Sequence, residues 1–385
     1  MNRLPLLLAS ALSLVVLLGG CREITNYKPL AVGAEGDVMV VTDSATWNGP
    51  VGEALRATLG REALTFPQPT PAFTLSRQSL SDYALDGIQR QHSVVFAAPY
   101  TDTTATARFL RARLDSAGVA ALDRGGQGVI ERDDLWMRDQ LVVYATAPSE
   151  DVLAAQIRAN GDRLRASFAR LARERLTTDM FDKGQQTEVE QRLLDEHGFT
   201  VNIQHDYVVA ADTTFLTERG ERGTFLRFRR LAGQDSWRDF FVYYEEDPRL
   251  ERLHPDSVRA LRNRLTEQFV RGSFDESYIA IEDRDLVRRP IETDTVSLAG
   301  RFALETRGTW RMTGDAMGGP FVSYAFFDED TGRFYLIDGM IYGPRYTSEQ
   351  KREFLRQMEA IAYTFRTDDV GAEVIAGSGP PATSE

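Results

Sequence analysis

Residues Phe321–Phe327 read FVSYAFF, and residues Phe334–Tyr342 read FYLIDGMIY. Both runs are dense in aromatic and branched aliphatic side chains, which are enriched in β-strands. Between them, Asp328–Gly332 reads DEDTG, a short polar segment that suits the turn of a β-hairpin. Arg301–Met312 is a third long strand candidate just before them. We therefore expect an antiparallel sheet in the C-terminal half of the chain.

Further strand and helix signals surround these three strands. Thr224–Arg230 and Arg238–Tyr244 predict another pair of strands joined by a turn. Pro255 predicts the start of one helix, and the capping-box pattern of Thr347–Gln350 predicts the start of the closing helix. Residues 273–298 are poorly patterned and rich in charge, so we interpret them as a loop.

The N-terminal half alternates short apolar runs with helical patterns. Four runs predict strands: Val38–Val41, Ser93–Ala98, Gly128–Glu131 and Gln140–Ala147. Amphipathic spacing predicts one helix over Thr103–Ala117 and a longer one from Ser149 to Leu176. Together the two halves predict an α+β protein made of two α/β sandwich-like domains with mainly antiparallel sheets.

Composition along the chain predicts its domain organisation. The chain has 385 residues, which is long for one hydrophobic core, and a polar segment around Gly184 separates its halves. The predicted segments are a signal peptide (1–20), a lipidated tether (21–36), an N-terminal domain (37–180), a C-terminal domain (185–367) and a disordered tail (368–385).

The two halves share a local order of elements. A strand, a proline, a Ser-Glu pair and the start of a helix follow one another at both Val142–Glu150 and Ile341–Glu349. This similarity indicates either an internal duplication or a coincidence.

The first 21 residues have the order of a secretory leader. Arg3 supplies a positive charge, Leu4–Leu18 is almost wholly apolar, and Gly19 and Gly20 lead to Cys21, the only cysteine. The apolar run is shorter than the roughly 20 residues of a membrane span. Its ending resembles the lipobox of bacterial lipoproteins, which implies cleavage before Cys21 and a diacylglyceryl group on the thiol. The alternative is an ordinary signal peptide with an incidental cysteine.

The net charge and the identity of residue 22 predict which partners and which location the protein has. The chain carries 45 Lys and Arg against 57 Asp and Glu, a net charge of −12. Such a surface repels phosphate backbones and anionic head groups, so we expect no nucleic-acid partner and attachment through N-terminal acyl chains. Arg22 directly follows Cys21. In familiar envelope systems, an Asp at that position retains lipoproteins in the inner membrane. We therefore expect the outer membrane, facing the periplasm.

No residue pattern points to catalysis or to a cofactor. Asp195–His197 and His205–Asp206 are close enough to suggest a metal site, but Gly198 and a strand separate them and the spacing matches no recognised motif. Ser348–Lys351 matches the bare Ser-x-x-Lys pattern but starts a helix without the companion motifs. Asp328–Gly332 lacks the remaining ligands of a calcium loop. We expect no catalytic residue, no cofactor and no metal.

Trp136, Trp310 and Met317 form the candidate binding surface. Each tryptophan lies beside charged or glycine-rich sequence, and amphipathic aromatic residues often anchor interfaces. The alternative is that both tryptophans belong to the core or its rim. Gly314–Pro320, around Met317, indicates a close approach of two backbones, because no helix N-terminus follows it to make a phosphate cradle.

Four further segments are distinctive: Val51–Arg56, Phe66–Phe73, Asp134–Val142 and Gly308–Tyr324. They resemble segments of a family of bacterial envelope lipoproteins known only as a domain of unknown function. The family usually shows a Leu-Pro-Gln-Pro-Glu-Pro run, from which Phe66 and Thr70 depart. The resemblance implies a lipoprotein without assigned catalytic residues. The second half also resembles the PsbP/Mog1-type α/β/α sandwich, at Gly198–Val201 and Tyr363–Phe365, and such domains mostly bind partners.

These observations favour a non-enzymatic, lipid-anchored envelope lipoprotein that binds a protein or a cell-wall partner. The absence of converging catalytic residues motivates this hypothesis. The alternative is an envelope hydrolase or a small-ligand-binding protein with a site between the two domains, near Trp136, Trp310 and Met317.

Overall fold

A computed structural model describes the chain from residue 28 to residue 367 with short gaps. The described residues are 28–63, 68, 70–231, 236–246, 250–274, 276–283 and 291–367. Cys21, the predicted signal peptide and the predicted tail from residue 368 lie outside them. The chain divides into two compact units, Met1–Thr58 with Leu75–Phe168 and Leu59–Thr74 with Ala169–Glu385. The sequence did not indicate that Leu59–Thr74 would belong to the second unit.

The first unit combines short strands with short helices. In chain order it contains β1 (Asp37–Val41), α1 (Ser44–Asn48), α2 (Pro50–Thr58), β2 (Thr74–Gln78), α3 (Asp82–Gln89), β3 (Ser93–Ala97), α4 (Ala105–Arg111), α5 (Ser116–Asp123), β4 (Val129–Asp133), β5 (Leu141–Ala145), α6 (Glu150–Ala159) and the first part of α7 (Gly161–Asp182). Its five strands lie in the order β2-β1-β3-β5-β4. The central pairs β1–β3 and β3–β5 are parallel, and β4 is antiparallel to β5. All five residues of β3 are buried, as expected for a parallel strand covered on both faces.

Each of the two long helices predicted for this unit is two helices in the structure, and a capping residue starts the second helix in the first case. The helix predicted over Thr103–Ala117 is two helices, because the Asp115 side chain accepts a hydrogen bond from Gly118 N and starts α5. Ser149 caps α6 through Val152 N, as predicted, but that helix ends at Ala159 and α7 follows it after Asn160. Side-chain caps satisfy the free N–H groups of a new first turn, so each one favours a new start.

The structure contradicts part of the proposed tether, which was predicted to span residues 21–36. Ala31 N donates to Arg138 O at 3.0 Å, and Val32 N donates to Arg90 O at 2.8 Å. His92 N donates to Val32 O at 2.9 Å. The stretch around Ala31 and Val32 is therefore part of the first unit, and the tether prediction was wrong for these residues.

The second unit is built around a large sheet. In chain order it contains α8 (Thr187–His197), β6 (Phe199–Thr200), β7 (Val208–Leu216), β8 (Arg222–Leu231), β9 (Trp237–Glu246), a 3₁₀ turn (Leu250–Arg252), α9 (Pro255–Phe269), β10 (Ile279–Ile281), β11 (Glu292–Leu298), β12 (Arg301–Met312), β13 (Gly318–Asp328), β14 (Arg333–Tyr342), α10 (Ser348–Tyr363) and β15 (Arg366–Thr367). The described sheet has eight strands, of which seven lie in the order β10-β12-β13-β14-β9-β8-β7 and the eighth, β11, pairs with β12. Every described pairing in this sheet is antiparallel.

These pairings confirm the predicted hairpins and the α+β class, with mainly antiparallel sheets. β13 pairs with β14 in the register Phe321↔Met340, and β8 pairs with β9. The loop interpretation of residues 273–298 was wrong, because β10 and β11 lie within it and both pair with β12.

Helices cover both faces of the large sheet. On β9, Val242 and Tyr244 belong to one buried cluster, together with residues of α8 and α10. Phe241 and Tyr243 belong to a second cluster with α9, since successive side chains of a strand point to opposite faces. Among the described residues, no helix is long and apolar enough to span a bilayer.

The pairing of corresponding strands argues against an internal duplication. The repeat would match Val94–Ala98 and the helix after it with Phe240–Tyr244 and the helix that starts at Pro255, and so would equate β3 and β5 of the first unit with β9 and β14 of the second. β3 and β5 pair in parallel, whereas β9 and β14 pair antiparallel. The shared order of elements therefore does not reflect a shared topology.

Candidate functional site

A pocket of about 330 Å³ lies in the second unit, between the β7–β8 hairpin and α9. This volume is within the range of small-molecule sites, which are about 300–1,000 Å³. Its apolar lining consists of Phe215, Leu216, Leu261 and Leu265. Leu261 and Leu265 are buried, whereas Leu216 is exposed at the rim. The pocket therefore offers an apolar wall that opens to solvent.

A glycine on β8 makes room for the aromatic wall. Gly223 pairs with Phe215 on one side and with Glu245 on the other. A Cβ at Gly223 would lie 3.0 Å from the Tyr243 ring and 3.3 Å from the Phe215 ring. Phe215 also contacts Phe269 of α9, with ring centroids 5.0 Å apart. A larger residue at position 223 would displace the rings that shape the pocket.

The floor of the pocket is a buried polar network around Glu245. Tyr243 Oη donates to Glu245 Oε2 at 2.8 Å, and Arg252 Nε donates to Glu245 Oε1 at 2.7 Å. Arg252 Nη2 donates to Glu245 Oε2 at 3.2 Å and lies 3.9 Å from Glu221 Oε2. Burial raises the pKa of Tyr243, so its hydroxyl remains protonated. The charge of Arg252 is thus balanced by carboxylates that already contact it.

Three further arginines, Arg219, Arg264 and Arg271, line the exposed part of the pocket. Arg264 Nη1 lies 3.6 Å from Glu218 Oε2, a weak exposed pair. Within the described part of the chain, Arg219 and Arg271 form no ion pair. The lining contains four arginines and two glutamates, although acidic residues outnumber basic ones in the whole chain. The rim is therefore suited to an anionic group.

A separate cluster of possible metal ligands lies where α8 ends. Ligand atoms of Glu196, His197 and Asp212 all lie within 4.8 Å of one another. His197 Nε2 is 3.3 Å from Asp212 Oδ2, and His197 Nδ1 is 3.1 Å from Tyr244 Oη. The sequence pattern includes Glu196 and His197 but not Asp212, because β7 was not predicted. Asp206, which also belongs to that pattern, is instead paired with Arg230.

Two family matches cover most of the chain. Residues 31–181 match a family described as Domain of unknown function (DUF8532), and residues 186–364 match Domain of unknown function (DUF4837). Neither match covers half of the 385 residues, so residues 31–181 are similar to one family and residues 186–364 to the other. No curated protein matches the chain. The pocket and the cluster of Glu196, His197 and Asp212 both lie within residues 186–364.

The residues predicted to form a binding surface lie elsewhere. Trp310 of the second unit is 0% exposed, stacks on Trp237 with ring centroids 5.2 Å apart, and donates from Nε1 to Ile341 O at 3.2 Å. It is a core residue, so its assignment to a binding surface is corrected. Met317 is half-buried and packs against the cluster that contains Trp310. Trp136 of the first unit is half-buried beside Phe96.

The remaining sequence motifs have structural roles. The predicted capping box is confirmed, with Thr347 Oγ1 accepting from Gln350 N and the Gln350 side chain accepting from Thr347 N. Asp328 accepts from Thr331 N at 2.9 Å and also pairs with Arg301, which stabilises the β13–β14 turn. A Cβ at Gly319 would overlap Ile341 O, so the predicted close approach of backbones is confirmed there.

Proposed function

We propose that this protein is a lipid-anchored component of the bacterial cell envelope whose second unit binds a small ligand with an apolar body and an anionic group. The observation that carries the proposal is the pocket between β7–β8 and α9, with its apolar wall and its rim of arginines. We expect binding without catalysis.

The chemistry of the lining supports this ligand class. Phe215, Leu261 and Leu265 would contact an apolar body. Arginine presents a planar fork of donors that matches a carboxylate or a phosphate, and such charge-assisted hydrogen bonds are stronger than neutral ones. Because Glu245 already binds Arg252, the anionic group would bind Arg219 and Arg271 at the rim.

The order of residues at the N-terminus supports the anchor. A charged start, an apolar run and two glycines precede Cys21, and a net charge of −12 disfavours adsorption to anionic lipid without acyl chains. Several acyl chains together hold a protein firmly, at about 0.8 kcal/mol per buried methylene. We expect the outer membrane, facing the periplasm.

Binding can be measured by calorimetry on the chain from residue 22 onward, which contains every described residue. Four probes share an eight-carbon body and differ only in the polar group: octyl phosphate, octanoate, octanol and octylamine. We expect octyl phosphate and octanoate to bind in a 1:1 complex, and octanol and octylamine to bind at least about tenfold more weakly. Comparing the two anions identifies whether a phosphate or a carboxylate is preferred.

Substitutions then locate the site. Arg219→Gln and Arg271→Gln should each weaken the anionic probes about tenfold, which corresponds to about 1.4 kcal/mol. Arg192→Gln is the matched control, because Arg192 is an exposed arginine of the same unit on α8. Equal binding of octanoate and octanol, or equal losses in all three variants, would contradict the proposal.

A protein partner is the second candidate function. β7 is the last strand in the order of the large sheet, and Val208 and Leu216 on it are 60% and 75% exposed. An edge strand with apolar side chains can pair with a strand of another chain. A photocrosslinking residue at position 208 should capture one defined envelope protein, whereas the same residue at Tyr83, which is also exposed, should not. Identical products from both positions would count against this function.

A further inference from the structure

The end of α8 and the middle of β7 bring three possible metal ligands together. His197 is the last residue of α8, and Gly198 follows it in the left-handed conformation with φ 71°. That turn redirects the chain into β6 and leaves Glu196 and His197 at the carboxyl end of the helix. The carboxyl end of a helix carries a partial negative charge, which favours a bound cation.

Asp212 reaches the same place from the sheet. It pairs with Leu226 of β8, which faces the cluster that contains Tyr244. Directly opposed residues of antiparallel strands point to the same face, so Asp212 lies on the face that α8 covers. Its side chain is 37% exposed, which leaves the carboxylate accessible to an ion from solvent.

The distances suit a tetrahedral ion. With metal–ligand bonds of about 2.0–2.1 Å, two ligands of a tetrahedral zinc site are about 3.3 Å apart. His197 Nε2 and Asp212 Oδ2 are 3.3 Å apart. Glu196 is exposed, so its side chain is free to complete the set, and its ligand atom lies within 4.8 Å of the other two.

The surroundings of His197 match those of a metal ligand. His197 is 9% exposed, and its Nδ1 lies 3.1 Å from Tyr244 Oη, a contact that fixes the ring while Nε2 faces Asp212. Metal-binding histidines are commonly oriented by a hydrogen bond at the second ring nitrogen. The nearby Arg333 donates to His197 O at 2.5 Å, and Glu246, whose Oε1 lies 3.3 Å from Arg333 Nη2, balances the charge of Arg333.

The ligand set favours zinc over the hard cations. Calcium takes six to eight oxygen ligands, and magnesium prefers an octahedron of oxygens and water. One imidazole and two carboxylates instead provide three of the four positions of a zinc site and leave the fourth to water. We propose that Glu196, His197 and Asp212 bind one Zn²⁺ ion that joins the end of α8 to β7.

Calorimetry with zinc chloride tests the proposal on the chain from residue 22 onward, with any histidine tag removed. We expect one Zn²⁺ per chain, and no binding of Mg²⁺ or Ca²⁺ at the same concentrations. Glu196→Gln and Asp212→Asn should each weaken zinc at least about tenfold. Both side chains are partly or fully exposed, so these variants should fold, unlike changes at the buried His197.

Asp195→Asn is the matched control, because Asp195 is an exposed carboxylate one position away on α8 and outside the cluster. It should bind zinc as the unmodified chain does. Zinc should also raise the midpoint of thermal unfolding of the unmodified chain and of Asp195→Asn, and raise that of Glu196→Gln by less at the same zinc concentration. Absence of zinc binding, or equal affinity in all variants, overturns the proposal.

Discussion

At the scale of single residues, a buried ion pair holds α9 on the large sheet. Arg262 Nε donates to Asp338 Oδ2 at 2.6 Å, and Nη2 donates to Oδ1 at 3.2 Å, with both side chains almost completely buried. Ser323 also donates to Asp338, and the Arg262 guanidinium lies 3.8 Å from the centre of the Phe321 ring. Such a pair contributes little net stability while intact, but either charge alone in this interior is very unfavourable.

We predict that Asp338→Ala lowers the free energy of unfolding by about 3–5 kcal/mol, because it leaves the Arg262 charge buried without its partner. Urea denaturation followed by circular dichroism measures the change. Asp256→Ala is the control, because Asp256 pairs with Arg259 on the same helix but is exposed, and should change stability far less than Asp338→Ala does. Equal losses in the two variants would refute the predicted difference.

Part of these residue roles could be predicted from the sequence. Asp338 interrupts the apolar run of β14, and a charge in such a run signals a buried partner, but the sequence does not identify Arg262. Trp310 shows the opposite limit, since a tryptophan beside glycines suits both a surface and a core. Asp212 could not be grouped with Glu196 before β7 was known, because the grouping depends on strand pairing.

At the scale of elements, two arginines of α10 bind the proline-rich segment Leu59–Thr74. Arg352 Nη1 donates to Pro71 O and Arg356 Nη2 donates to Ala72 O, both at 2.6 Å. Arg356 also lies 5.0 Å from the centre of the Phe73 ring. Prolines interrupt regular backbone pairing, so carbonyl groups in such a segment need donors from side chains. These contacts explain why Leu59–Thr74 belongs to the second unit.

We predict that Arg356→Gln exposes this segment to proteolysis. Loss of a charge-assisted hydrogen bond of about 1.5 kcal/mol should raise the open population, and with it the cleavage rate, about tenfold. Limited digestion with thermolysin, followed by mass spectrometry of the fragments, measures cleavage between residues 59 and 74. Arg192→Gln, which changes the same charge on α8, should leave the rate unchanged. The same rate in both variants would show that Arg356 does not hold the segment.

Elements with regular burial were predictable, and elements at sheet edges were not. The β13–β14 hairpin has apolar side chains on both faces, so its composition alone indicates strands. β7 is mostly exposed, and β11 pairs only with β12 and has few buried residues, so neither shows the apolar alternation that predicts a strand. Their strand structure comes from pairing with a neighbour that is distant in sequence.

Long-range contacts decide the organisation of the whole molecule. The two halves share an order of strands and helices, yet their strands pair differently, and a segment of 16 residues within the sequence of the first unit belongs to the second. Element order can be predicted locally because it depends on short windows of sequence. Pairing direction and unit membership depend on which distant residues meet, and local patterns do not contain that information.

The proposed anchor places a limit on the distance between the first unit and the membrane. The first described residue is Lys28, and Ala31 is already hydrogen-bonded to the first unit. Six residues lie between Cys21 and Lys28, and the seven steps along the chain span at most about 25 Å when fully extended. If Cys21 carries the acyl chains, the first unit must lie close to the bilayer, despite a net charge of −12 on the chain.

We predict that acylation at Cys21 is necessary for membrane attachment. A variant whose residues 1–21 are replaced by a leader that is cleaved without lipidation should be recovered in the soluble fraction and should not float with lipid vesicles. The unmodified protein should float, and should remain bound at 1 M salt, because apolar burial of acyl chains is not screened as ionic contacts are. Mass spectrometry should find its mature N-terminus at an acylated Cys21. Flotation of the variant, release of the unmodified protein by salt, or a different N-terminus would each contradict the anchor.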